Sequence, residues 1–267
     1  MTRLETAFAR CREARRGALV AYVMGGDPDL KGSARMALAC VEGGADLLEI
    51  GVPFSDPIAD GPTIQLAAGR ALAHHTSPRD CLAVVRAVRK VSQVPVALMG
   101  YLNPIQAQGL ERFIPAAAAA GVDAFIIPDL LPEEAGEFGT LAARHGIALI
   151  FLLAPTSTLA RVEAAAKAAT GFLYFVSVAG VTGARAALPT GLAEKVAAVR
   201  RRSPVPVVIG FGVSDASQAR SLGALADGVV VGSAIVSRVA QGGGAAARAK
   251  RVRDFVASLA KGLRRKA

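Results

Sequence analysis

The sequence predicts a (β/α)8 barrel of the TIM type with an extra N-terminal helix, and three observations carry the prediction. Short β-rich runs alternate with longer Ala-, Leu- and Arg-rich helical stretches from end to end. The strand-like runs are apolar on both faces, as in Val205-Pro206-Val207-Val208-Ile209; this suits a parallel sheet covered by helices rather than a half-wet antiparallel one. The length, 267 residues, matches the roughly 250 that one such barrel needs.

Strands are expected near 18–24, 46–51, 94–99, 123–127, 147–152, 172–177, 205–209 and 227–231. Helical patterns lie between them, for example at 29–43, 78–90, 109–120, 132–145, 157–169, 189–202 and 214–222. Eight strand–helix units at this spacing favour a closed barrel over an open sheet. A further helix near 2–15 is placed to cap the bottom. Gly242-Gly243-Gly244 reads as a break before a final helix, so residues 1–267 form one domain ending in a basic tail from about 261.

About half the residues are apolar (52%), enough to bury a large core and to argue against disorder. The charged start, Met1-Thr2-Arg3-Leu4-Glu5, opens no signal-peptide core. Apolar runs such as Ile147 to Leu153 fall short of the ~20 residues a membrane helix needs, so a cytoplasmic protein is expected. Cys11, Cys40 and Cys81 form no CxxC pair and no metal-ligand spacing, which suits reduced, partly buried thiols. The net charge of +10 comes from the two termini: five Arg face two Glu in residues 1–16, eight Lys or Arg face one Asp in 245–267, and the stretch between is balanced. With no aromatic-rich basic platform beside them, these ends do not indicate nucleic-acid binding. Adjacent His74 and His75 point in different directions on a helix and do not make a metal site.

In such barrels the chemistry sits on the loops after the strands. Glu49 lies inside the apolar second strand, on the same face as Leu47. Burial there raises a carboxyl's pKa toward that of a useful proton donor and acceptor; the structural alternative is a Glu paired with an Arg from another strand. Asp60 ends a Gly- and Pro-rich loop, where its alternative role is the N-cap of a helix beginning near Pro62. The last three strand ends carry Gly180-Val181-Thr182-Gly183, Gly210-Phe211-Gly212-Val213 and Val231-Gly232-Ser233-Ala234. Glycines let backbone N–H groups approach an anion, and a helix start adds partial positive charge. Three such turns at adjacent strand ends point to a phosphate ligand, although each singly is compatible with an ordinary tight turn. No P-loop or GxGxxG is present, so a small phosphate ester is favoured over a nucleotide.

The stretch from Leu48 to Gln65, LEIGVPFSDPIADGPTIQ, closely resembles the signature of the tryptophan synthase α-subunit family, with Ile58 where Leu is usual. Gly26-Asp27-Pro28, Met99-Gly100-Tyr101-Leu102-Asn103-Pro104, Ile127-Pro128-Asp129-Leu130 and the two turns at Gly180 and Gly210 extend the resemblance over roughly residues 1–260. It implies a retro-aldol cleavage of indole-3-glycerol phosphate to indole and glyceraldehyde 3-phosphate. Glu49 would be the proton donor and acceptor, and Asp60 would hold the indole N1–H. By the same resemblance Tyr174 is an active-site tyrosine, and Thr182 lies on a loop that closes over Asp60. Phosphate would bind around Gly183, Gly212, Gly232 and Ser233. The indole slot would include Tyr22, where Phe is commoner, with Gly100, Ile126, Leu130 and Leu152.

The resemblance also implies a partner, a β subunit carrying pyridoxal phosphate in an α2β2 heterotetramer, with Pro53, Asp56, Asn103 and Pro132 at or near the contact. No cofactor or metal is expected in this chain itself. Two other readings are a stand-alone indole-releasing lyase and a non-catalytic regulatory subunit; the presence of both acids argues against the second.

Overall fold

A computed structural model describes residues 1–176, 191–210 and 212–264. Eight parallel strands close into a barrel in sequence order: β1 (Ala18–Met24), β2 (Leu47–Gly51), β3 (Val96–Met99), β4 (Ala124–Ile126), β5 (Ala148–Leu153), β6 (Leu173–Val176), β7 (Val207–Gly210) and β8 (Gly228–Val231). Around them lie α1 (Arg3–Glu13), α2 (Leu30–Glu42), α3 (Pro62–Ala73), α4 (Pro78–Arg89), α5 (Leu102–Gln106), α6 (Leu110–Ala120), α7 (Gly136–Arg144), α8 (Leu159–Ala168), α9 (Leu192–Arg200), α10 (Ala216–Leu225), α11 (Ser233–Ala240) and α12 (Ala245–Leu263), with a 3₁₀ turn at Pro132–Glu134. The expected fold is the observed one.

Strand periodicity divides the core in two. Residues of one parity, including Val20, Leu47, Ala97, Ile126, Ile150, Phe172, Val208 and Val230, fill the barrel interior. Their neighbours, among them Leu19, Leu48, Leu98, Phe125, Phe151, Ile209 and Val229, pack outward against the helices. This is the alternation a closed sheet requires. Helix α1 closes the lower end. Its Thr2–Glu5 capping box fixes its start, and Leu4, Ala7, Phe8 and Cys11 are buried in the inner cluster. Phe8 meets Phe172 edge-on at 5.8 Å. Final helix α12 runs on to Leu263, which is buried, so the helix takes in the start of the basic segment at the exposed Lys261; residues 265–267 lie outside those described.

A fourfold pattern organises the lower rim. Just ahead of each even strand stands a side-chain acceptor that takes an N–H from the odd strand before it. Asp46 accepts from Leu19 at 2.9 Å, Asp123 from Val96 at 2.8 Å, Thr170 from Leu149 at 3.0 Å and Asp227 from Val207 at 2.9 Å. Each of the four returns its own N–H to the carbonyl of the same partner. The three aspartates also engage arginines: Arg16 grips Asp46 with two bonds of 2.6 and 2.8 Å, Arg89 pairs with Asp123, and Arg200 with Asp227. Ion-paired and remote from the strand C-termini, these acids serve stability, as expected at this end of the barrel.

Candidate active site

At the opposite rim a small cavity of about 100 Å³ is lined by Tyr22, Glu49, Ala59, Asp60, Ile64, Met99, Leu152, Tyr174, Val176, Gly210, Gly212, Val230, Gly232 and Ser233. A larger cavity of about 920 Å³ opens at the lower end beside Arg3, Arg10, Arg16 and Asp46. It lies among the ion pairs of the rim and away from the strand C-termini, so the smaller cavity is the candidate site.

Glu49 is placed by strand parity. It shares the inward face of β2 with Leu47 and stands in register between Tyr22 and Ala97. It is 1% exposed, and among the described residues nothing hydrogen-bonds its Oε2. Among the described residues no arginine or lysine pairs with it, so the ion-pair alternative is not met there. Burial first, and the nearby Asp60 charge second, push its carboxyl up to about 8. A buried carboxyl in an apolar barrel is expensive to ionise and persists where chemistry uses it.

Asp60 is half-buried on the loop from β2 to α3. It is not the cap of α3: the N-cap is Gly61, with Pro62 opening the helix and no side-chain cap bond. Its carboxyl is pushed up to about 6 by burial, while a bond from Tyr101 pulls the other way. The two acids thus differ in proton affinity within one cavity, the arrangement that divides acid from base.

Tyr22 and Tyr174 line the hollow. Burial, with the charges of Glu49 and Asp60, raises both phenols well above their ordinary value. The Tyr22 hydroxyl lies against Gly51 and the Tyr174 hydroxyl against Gly210, so close that a β-carbon on either glycine would overlap the phenol. Gly212, Gly232 and Ser233 gather beside them. Gly232 precedes α11 with no side-chain cap bond among the described residues, a helix start that suits an anion.

The structure thus brings together Glu49, Asp60, Tyr22, Tyr174, Leu152, Gly212, Gly232 and Ser233. Thr182 and Gly183 lie outside the described residues. Gly100 and Leu130 do not line the cavity: a β-carbon at Gly100 would meet Val52, and Leu130 belongs to the outer core. Ile126 faces the barrel interior without reaching the cavity. Register explains the exchange, because Met99 pairs with Gly51 on the inward face and takes the position assigned to Gly100. Tyr101 was missed as a site residue; its place beside Asp60 depends on two separate loops. Of the expected partner positions, Asp56 and Asn103 are exposed and Pro132 partly so, whereas Pro53 is buried. The three cysteines are free and buried. Among the described residues no cluster suits a metal, and no helix is long and apolar enough to cross a membrane.

Titration of Glu49 has a consequence for stability. Its folded-state pKa of about 8 exceeds the ordinary 4.5, so between these values the folded chain binds the proton that the unfolded chain releases. Stability therefore falls as pH rises through this window. Glu49→Gln removes the penalty. In urea unfolding the variant is expected to match the wild type near pH 4.5 and to exceed it by roughly 2–4 kcal/mol at pH 9. A difference that does not vary with pH would contradict an ionisable, uncompensated Glu49.

Fold and cavity together are those of a (β/α)8-barrel enzyme with two carboxyl groups at the strand C-termini. A family model described as "Tryptophan synthase alpha chain" matches residues 8–264. A tryptophan synthase alpha chain of Geobacter sulfurreducens is 50% identical over 259 residues, 97% of this chain and 98% of that one. One from Geotalea daltonii is 50% identical over 90% of this chain and 91% of its own. Among solved structures, tryptophan synthase of Mycobacterium tuberculosis superposes with a TM-score of 0.91 at 39% identity, covering 99% of both chains. The alpha subunit of Legionella pneumophila gives 0.88 at 33% identity, covering 98% of both. The chain belongs to the tryptophan synthase alpha chain family.

Proposed function

We propose that this chain cleaves indole-3-glycerol phosphate to indole and glyceraldehyde 3-phosphate through Glu49 and Asp60. Its family makes it a lyase of tryptophan biosynthesis. The observation that carries the mechanism is the buried Glu49, whose Oε2 has no hydrogen-bond partner among the described residues, facing the same apolar cavity as Asp60. At neutral pH Glu49 holds its proton and delivers it to C3 of the indole ring. The ring nitrogen gains positive charge, which the Asp60 carboxylate stabilises through the N1–H. Glu49, now ionised, takes the proton of the adjacent glycerol hydroxyl. The C–C bond then breaks, its electron pair restores the indole ring, and the hydroxyl carbon becomes the aldehyde.

The phosphate is assigned to the backbone amides around Gly212, Gly232 and Ser233, and Gly183 is assigned to the same ligand. Tyr22, Met99 and Leu152 give the ring an apolar slot, and Tyr174 flanks it. Thr182 is assigned to the loop that shuts over Asp60 and excludes water.

The product indole is apolar and is passed to a β subunit that carries pyridoxal phosphate; this chain supplies no cofactor. Support for the docking face comes from the exposed Asp56 and Asn103 and the partly exposed Pro132 on loops at the strand C-termini, and from Ile58, 85% exposed near Asp56; Pro53, which is buried, joins the face by the family resemblance alone. An α2β2 assembly in the cytoplasm follows from this reading. The test is to measure indole release by the purified chain alone and with a family β subunit added. Indole formation that rises on addition is expected. No release in either state refutes the catalytic reading, and release indifferent to the β subunit favours a stand-alone lyase.

A further inference from the structure

We propose that Tyr101 is the positioning residue for Asp60, tying the loop that carries this carboxylate to the end of β3 and donating to the carboxylate itself. The proposal rests on the role of Asp60 given above and extends it to a residue outside the reacting pair.

Among the described residues, three hydrogen bonds act on this loop at Ala59 and Asp60 themselves. The Asp60 N–H donates to the Pro57 carbonyl at 3.0 Å, and the Gln65 amide donates to the Asp60 carbonyl at 2.9 Å. Both are local, so they set the shape of the loop but not its place over the barrel. The third comes from elsewhere: the Tyr101 hydroxyl accepts the Ala59 N–H at 2.8 Å across 42 residues of sequence.

Tyr101 is suited to act as a fixed reference. It is 4% exposed although it stands at the rim. Its ring packs on Phe54 at 5.4 Å, and the backbone immediately after it is pinned by Asp129, which accepts the Leu102 N–H at 3.0 Å. A phenol that accepts one hydrogen bond still has its own hydrogen to give; Asp60, the residue next to the bonded Ala59, is the carboxylate we assign it to, and each of the two groups bears on the other's pKa.

The bond favours the ionised carboxylate and opposes the burial that drives Asp60 toward its neutral form. The other ionisable groups bearing on this pair are Glu49 on β2, Tyr22 on β1, Tyr174 on β6 and Asp129 after β4. The acids cannot supply a hydrogen bond while ionised. Tyr101 does so with a neutral group, leaving the negative charge of Asp60 available to the substrate.

The test uses Tyr101→Phe, which keeps the ring against Phe54 and removes only the hydroxyl. The Asp60 carboxyl is titrated by carbon-13 NMR in the substrate-free protein, with Asp60→Asn identifying its signal. Its midpoint is expected to rise by roughly one unit. In turnover, kcat is expected to fall about tenfold, with the acid limb of the pH profile displaced by the same amount. In the Asp60→Asn background, Tyr101→Phe should add no further loss, as for two residues acting through one another.

A fluorinated tyrosine at position 101, a stronger donor of nearly the same shape, should move the midpoint downward instead. An Asp60 midpoint unmoved in both variants overturns the proposal. The titration needs no activity, so an inactive wild type would count against the catalytic reading and leave the Tyr101–Asp60 link to be decided separately.

Discussion

Glu49→Gln should lower kcat for indole release by ~10²–10⁴, the loss typical of removing one acid–base group, while KM for the phosphate ester changes little. Gln fills the same space and keeps a polar end, so the barrel and the phosphate cradle survive the change. What disappears is a proton that can be given and taken back. The wild-type carboxyl is set for this by its position: buried, without a hydrogen-bond partner at Oε2 among the described residues, and pushed up to about 8. It is therefore mostly protonated at neutral pH, yet ionises at modest cost once the ring has accepted the proton. The wild-type profile of kcat/KM is expected to fall on the alkaline side near that value, and the Gln variant should lose this limb along with its rate. A kcat within tenfold of wild type would remove Glu49 from the chemistry.

Asp60→Asn tests charge rather than proton transfer. An amide oxygen still accepts the indole N1–H, so binding persists, but the compensation of the positive ring is lost. A fall in kcat of roughly 10²–10³ is expected, the scale of deleting one well-placed electrostatic group. The acid limb of the profile, near 6 in the wild type, should vanish. The alkaline limb should move to lower pH, because Asp60 is the second cause of the raised Glu49 carboxyl. An alkaline limb unmoved in Asp60→Asn would show that the two groups do not sense one another.

What could be read in the sequence and what could not follow a physical division. Alternating apolar strands and helices imposed a closed barrel, and Glu49 stood out because an acid inside an apolar strand is rare. Asp60 was harder. A Gly-Pro-rich loop before a helix offers an Asp an easy cap, and only the structure places the cap at Gly61 and leaves the carboxyl beside Tyr101. The slot residues were misplaced by one step at β3. A strand end has no internal marker of which parity faces inward, so Gly100 and Met99 could not be told apart without the pairing to Gly51. Tyr101 joins two loops 42 residues apart, a long-range contact that no local pattern encodes. The staples of the lower rim were likewise invisible, since Asp46, Asp123, Thr170 and Asp227 share no motif, only a place ahead of an even strand.

Those staples divide the barrel into quarters. Each joins an odd strand to its successor, so β1 is clasped to β2 and β7 to β8, and the joint between β8 and β1 has no such side-chain clasp among the described residues. Gly212 and Gly232 ride on one quarter, Glu49 on the next. A ligand anchored by its phosphate to the first and by its ring to the second would span that joint, making the occupied enzyme stiffer around its circumference than the empty one at the seam where its two working halves meet.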